Sequence, residues 1–118
     1  MPVRQRLLHP LEHHPSYRAT VAAAPPVATL AARLNNGAIA SAIAIACGDL
    51  ALGFAAPIGS PERAKSHHRA WIKLRQIDQV VSEARQRRLA SPEVIAKAQR
   101  AVDRADVLVA ALPGVLPS

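Results

Sequence analysis

Residues Ser60 to Leu112 read SPERAKSHHRAWIKLRQIDQVVSEARQRRLASPEVIAKAQRAVDRADVLVAAL, and this stretch decides the fold. It holds the same tripeptide twice, Ser60-Pro61-Glu62 and Ser91-Pro92-Glu93. A serine oxygen can accept from the unpaired amides of a first helical turn. A proline at the first helical position lacks the N–H that would be left orphaned, and a glutamate beside it favours the positive end of the helix dipole. Two helices therefore start at these points. In the first, Ala70, Leu74, Ile77, Val81 and Ala84 recur at spacings of four and three. In the second the stripe runs through Val94 or Ile95, Ala98, Ala101 or Val102, Ala105, Leu108 or Val109, and Leu112. Such stripes pack at the shallow crossing angle of helical bundles. The short Arg88–Ala90 connection makes the neighbours antiparallel. At about 1.5 Å per residue they would be roughly 40 Å and roughly 30 Å long.

Outward from this hairpin, the prolines organise the chain. Pro2, Pro10, Pro15, Pro25 and Pro26 crowd the start, and the next is Pro57. Val27–Ala56 is the remaining long window without proline, because proline disrupts a helix interior. Leu30, Leu34, Ala38 and Ile45 suit a helix, and Ile39–Ala46 is apolar almost all round, which asks for burial on several sides. Gly48, Gly53 and Gly59 weaken the later part, so the helix is expected to end or kink after Cys47. A strand over Ile39–Cys47 is the competing reading, but it lacks a second convincing strand to pair with. Upstream, Tyr17–Ala24 could form two turns of helix and Val3–His14 a frayed piece, with Pro25-Pro26 preventing smooth continuation. The expected organisation is an irregular or weakly helical segment over 1–26 and a bundle domain over 27–118. The fold class is all-α: an up-down antiparallel bundle of three to four helices whose first helix is short or irregular.

Composition agrees. At 118 residues the chain can bury one core. Phe54, Trp71 and Tyr17 are its only aromatics, and an Ala-rich interior suits closely approaching helices better than a β-sandwich. The formal charge of +7 fits an anionic partner such as nucleic acid. Cys47 stands alone in an apolar run, which excludes a disulfide framework and points to an inert buried thiol. The most apolar run, Ala38–Cys47, is about ten residues against the roughly 20 that span a bilayer. The N-terminus lacks the continuous apolar stretch of a signal peptide. The expectation is a cytoplasmic protein without a membrane partner.

The block Arg33-Leu34-Asn35-Asn36-Gly37-Ala38 through Ile45-Ala46-Cys47-Gly48, followed by His67-His68-Arg69-Ala70-Trp71, Ala84-Arg85, Leu89 and Ser91-Pro92-Glu93, carries a family resemblance. In helix layout and small-residue placement, Arg33–Leu112 resembles the four-helix-bundle proteins encoded in intervening sequences of bacterial 23S rRNA genes. Accessory proteins of diversity-generating retroelements are relatives of that family. The family's paired arginines fall on Asn35 and Asn36, its asparagine on Ala44 and its glutamate on Cys47, which makes this chain a divergent member. The resemblance implies a bundle that assembles into rings, often pentamers, and a nucleic-acid partner.

The residues themselves point to two surfaces. Basic side chains gather on the hairpin, and Lys97, Arg100 and Arg104 share one helix face opposite the apolar stripe. With Arg69, Lys73 and Arg87 they are the candidate contacts to RNA, to DNA or to a nucleic-acid enzyme, through phosphate attraction and counterion release. A solvated charged face would look the same, and Arg85, Arg87 and Arg88 also sit where cations favour the helix dipole. Aromatic interleaving is sparse, which argues against single-strand stacking. Ile39, Ile43 and the outward-pointing Ile72 are the candidate self-association contacts. His9, His13-His14 and His67-His68 lack a carboxylate or cysteine cluster to complete a metal site, so no metal is expected. No phosphate loop or nucleophile elbow occurs, so neither an enzyme nor a cofactor is expected. The leading expectation is a self-associating interaction protein with a basic surface for nucleic acid. Two alternatives stand beside it: a structural or regulatory module that meets a protein through Ala38–Cys47, and a decayed family member.

Overall fold

A computed structural model describes residues 10–117. After a 3-10 turn at Pro10–His13 come four helices: α1 Pro15–Leu34, α2 Gly37–Ala55, α3 Pro61–Arg87 and α4 Pro92–Ala110. No strand occurs among the described residues, so Ile39–Cys47 is helical. The helices form a ring in which α1 packs against α2 and α4, and α3 packs against the same two. This is an up-down-up-down four-helix bundle. His9 and most of the expected piece Val3–His14 lie outside the described residues.

The α3–α4 hairpin follows its capping chemistry. Ser60 Oγ accepts from the Arg63 amide at 3.2 Å, and Ser91 Oγ accepts from the Val94 amide at 3.3 Å. Ala70, Leu74, Ile77, Val81 and Ala84 are all buried, and α4 resolves its stripe to Ile95, Ala98, Val102, Ala105 and Val109. Alanines at Ala23, Ala46, Ala70, Ala84, Ala98 and Ala105 are wholly buried and let the helices approach closely. Leu30, Leu50, Leu74 and Ile77 supply the bulk between them. Each such large side chain contributes about 1.5–3 kcal/mol of transfer free energy.

The first half departs from expectation in three ways. First, α1 is one helix of 20 residues that runs through Pro25 and Pro26, so it is neither short nor irregular and the expected boundary at 26/27 falls inside it. The two prolines remove the amide donors that would reach the Val21 and Ala22 carbonyls. Those two residues and Pro25 are exposed, so water can take the freed carbonyls, while the opposite side buries Ala23, Val27 and Leu30. Second, the chain reverses at Asn35-Asn36, inside the window read as one helix. Asn35 adopts left-handed backbone (φ 51°) and its amide donates to the Ala31 and Ala32 carbonyls. The Asn36 side chain accepts from the Ala38 amide at 3.1 Å and starts α2. Asparagine suits both tasks, since it tolerates the left-handed region and its side chain caps well. Third, α2 does not stop after Cys47. It continues through Gly48 and Gly53 to Ala55, because Leu50 and Gly53 on its inner side are buried against the bundle.

Two further features position the corner where α2 ends and α3 begins. The segment after α4 folds back, burying Val115, and His68 Nδ1 donates to the Val115 carbonyl at 2.7 Å. Gly114 makes this return possible: its φ is +79°, and a Cβ there would overlap the side chain of Ala64.

Candidate nucleic-acid interface

The cations singled out from the sequence fall into two groups. Arg69 Nε lies 3.6 Å from Asp49 on α2, and its Nη2 donates to Ser66 Oγ at 2.9 Å. Arg87 is held by Glu83 one turn away, at 2.9 Å. Arg75, similarly, reaches Asp106 on α4 at 3.3 Å. These three charges are locally compensated. Lys97, Arg100 and Arg104 on α4 are exposed and Lys73 on α3 is half-buried; none has a carboxylate within 4.0 Å among the described residues.

Of the six candidate contacts, Arg69 lines a hollow with Ala64, Lys65, His68 and Gly114, and Arg100 lines the groove in which cations gather. At the α3–α4 turn Arg100 meets Arg85 and Arg88 on the rim of this groove, of about 620 Å³. The floor is apolar, formed by Ala90, Pro92, Ile95 and Ala96. Arg85 and Arg88 also have no carboxylate within 4.0 Å among the described residues. Gln99 closes the back of the groove, where its amide nitrogen donates to Asp78 and Asp103, each at 2.8 Å. Those two carboxylates are thereby engaged, and neither lines the groove. Lys97 and Arg104 extend the positive surface along the outside of α4, whereas Arg69, Lys73 and Arg87 do not line this groove.

Sequence reasoning counted Arg85 and Arg88 among the basic residues of the hairpin, with the helix dipole as the competing reading, and missed their convergence with Arg100. The signal was the hairpin itself: an antiparallel turn sets the last turn of α3 beside the opening turns of α4. Arg88 carries a further mark. It caps α3 in left-handed backbone (φ 53°), with its amide donating to the Ala84 and Arg85 carbonyls. Glycine is the usual occupant of that position, since other side chains are strained there.

The self-association candidates are corrected by burial. Ile39 is 3 % exposed and Ile43 2 %, so both belong to the core of the single chain and cannot form an outer contact. The periodicity of an all-apolar helix does not say which side faces inward, and here α1 and α3 select it. Ile72 is on the surface at 39 %, as are Ile45 at 49 % and Leu52 at 58 % on the outward side of α2. With Ala44 and Gly48 these last two make an uncharged outer face. The helix is longer than the ten-residue run suggested: it has 19 residues, with an 18-residue window of mean hydropathy 1.9, enough in length and composition to cross a membrane.

Three titratable groups are displaced from their ordinary behaviour. Burial pushes the Cys47 thiol up, which keeps it protonated and weakly nucleophilic. Burial pulls His67 and His14 down, helped in both by the Arg63 cation. No group of three or more potential metal ligands occurs among the described residues. No protein-family model matches this chain, and no curated protein or solved structure does either.

Proposed function

We propose that this chain is a non-enzymatic four-helix-bundle interaction protein that binds nucleic acid through the α3–α4 groove and the adjoining outer face of α4. The observation that carries the reading is the Arg85, Arg88 and Arg100 rim, uncompensated by any lining carboxylate. Guanidinium groups gathered in this way attract phosphates by counterion release and hold them bidentately. Lys97 and Arg104, exposed on the same helix as Arg100, would extend the contact along α4. The resemblance to the ribosomal intervening-sequence proteins supports the same partner class and a ring such as a pentamer. A nucleic-acid enzyme would meet the same surface if the contact were indirect.

The test is fluorescence anisotropy with labelled RNA and DNA oligonucleotides at several salt concentrations. Three phosphate contacts should give a log–log salt slope of about −2 to −3. Changing Arg85, Arg88 and Arg100 together to Gln should remove most of that slope. Absence of binding even at low salt, with a folded protein, would reject the reading.

A second reading is favoured by the outward side of α2. Ile45 and Leu52 are exposed on a face without charge, which suits contact with a protein, another copy of the chain included. Light scattering on wild type and on Ile45→Glu separates the two. Self-association lost in the variant with oligonucleotide binding intact would make α2 the assembly surface. A monomer in both would leave α2 to a different protein.

A further inference from the structure

The corner where α2 ends, α3 begins and the chain enters α1 holds a stack of rings outside the groove. His14, just before α1, lies flat on Phe54 of α2, with centroids 3.7 Å apart and planes 11° from parallel. Phe54 in turn meets His67 of α3 at 4.4 Å, tilted by 59°. Arg63 caps the arrangement: its guanidinium carbon is 5.0 Å from the Phe54 centroid, and its Nη1 donates to the Ala56 carbonyl at 3.3 Å.

His67 is the unusual member. It is 1 % exposed, and its Nε2 has no hydrogen-bond partner among the described residues. The ring lies so close to α2 that a Cβ on Gly53 would overlap both Cδ2 and Nε2, which explains a glycine in a buried helical position. The Leu50 carbonyl of α2 favours the protonated ring, and burial outweighs it. Burial and the Arg63 cation keep the ring neutral.

We propose that the His14–Phe54–His67 stack is a proton-operated latch, tying the start of α1 to the α2–α3 corner while both imidazoles are neutral and releasing it when they take up protons. In the doubly protonated ring, Nε2 would carry a buried N–H pressed against Gly53 with no acceptor. Among the described residues, no negative charge in the surroundings balances it. From α3 comes Arg63, a cation, while His68 is turned to the Val115 carbonyl. From the chain before α1 come His14 and, acting on His14, His13. From α2 come Leu50, Gly53 and Phe54, all uncharged, and the neighbouring Asp49 is engaged by Arg69. From the segment after α4, Leu112, Pro113 and Gly114 bring no charge. Opening the latch exposes the ring to water, where the second proton is accepted freely.

The sign follows from linkage. Both groups hold protons less tightly folded than unfolded, so the open state binds more protons as pH falls below the ordinary imidazole value of about 6.5. The latch is whole above that value and weakens below it, with up to two protons taken up on opening.

The experiment is an NMR titration of the imidazoles in the intact chain, with amide hydrogen exchange in the first turns of α1, from about pH 8 to about pH 5. Above pH 6.5, protection of amides such as those of Ala19 and Thr20 should be constant after correction for intrinsic rates. Below it, protection should fall by roughly tenfold per pH unit for each proton taken up. His67 and His14 should both titrate below the ordinary imidazole value. His67→Gln should abolish most of the fall. Should that variant fail to fold, His14→Phe keeps the ring stack and should halve the proton uptake. A His67 that titrates at the ordinary imidazole value, or protection that ignores pH, would overturn the proposal. Oligonucleotide binding has no part in this test, so the outcome is independent of the proposed nucleic-acid interface.

Discussion

The two hairpins of this bundle reach the same geometry from different chemistry. In α3–α4 each helix opens on Ser-Pro-Glu, and both prolines occupy a first-turn position where no donor is needed. In α1–α2 two prolines sit inside a helix, and the reversal is made by an asparagine pair. Proline is therefore not a boundary by itself. What matters is whether the carbonyls it strands face water and whether the other side of the helix is held by burial. Pro25 and Pro26 meet both conditions, because Val27, Leu30 and Ala23 anchor the inner side.

The sharpest way to break this comparison is to delete equivalent core volume from each hairpin. Leu30→Ala in α1 and Leu74→Ala in α3 each remove a wholly buried side chain, and each should cost about 2–5 kcal/mol in urea unfolding. If α1 were loosely attached, Leu30→Ala would cost far less than its counterpart.

Within α2, two glycines should respond with opposite sign. Gly53→Ala collides with His67 and should destabilise by about 1–3 kcal/mol, since the ring is wedged between helices and has little room to move. Gly48→Ala meets nothing within 4 Å and should stabilise by about 0.5–1 kcal/mol from helix propensity. Thermal melts of the pair check both. A loss at Gly48 would mean that another chain packs against that face.

The capping serines should each contribute about 1 kcal/mol, so Ser60→Ala and Ser91→Ala should lower the unfolding free energy by similar amounts. The smallest stability effect belongs to the turn residues. Arg88→Gly relieves a left-handed arginine and should stabilise by about 0.5–1 kcal/mol, while weakening oligonucleotide binding by removing a cation from the groove. Asn35→Gly, by contrast, should leave stability nearly unchanged, because asparagine already tolerates that backbone. Stability and affinity moving in opposite directions at Arg88 would mark it as retained for contact rather than for folding.

What was legible beforehand was local. Ser60, Ser91 and their following prolines act within one turn, and the stripe Ala70–Ala84 repeats with the helical period, so the α3–α4 boundaries and inward face could be read directly. The Asn35-Asn36-Gly37 turn was equally local, but the flanking apolar continuity hid it. In the groove, Arg100 was chosen as a contact while Arg85 and Arg88 were only counted among the basic residues, because their shared neighbourhood exists only once the hairpin closes.

By itself, then, the sequence determined an all-α antiparallel bundle, the start points of α3 and α4, and a cationic surface on that hairpin. The tertiary structure decided that α1 continues across two prolines and that Ile39 and Ile43 face inward while Ile45 and Leu52 face out. It also decided that His67 is driven against Gly53 and that three arginines share one groove. Capping and periodicity involve residues a turn apart, which one chain segment encodes alone. The inward side of an all-apolar helix, the survival of a proline-bearing one and the burial of an imidazole depend on which other helices arrive beside them.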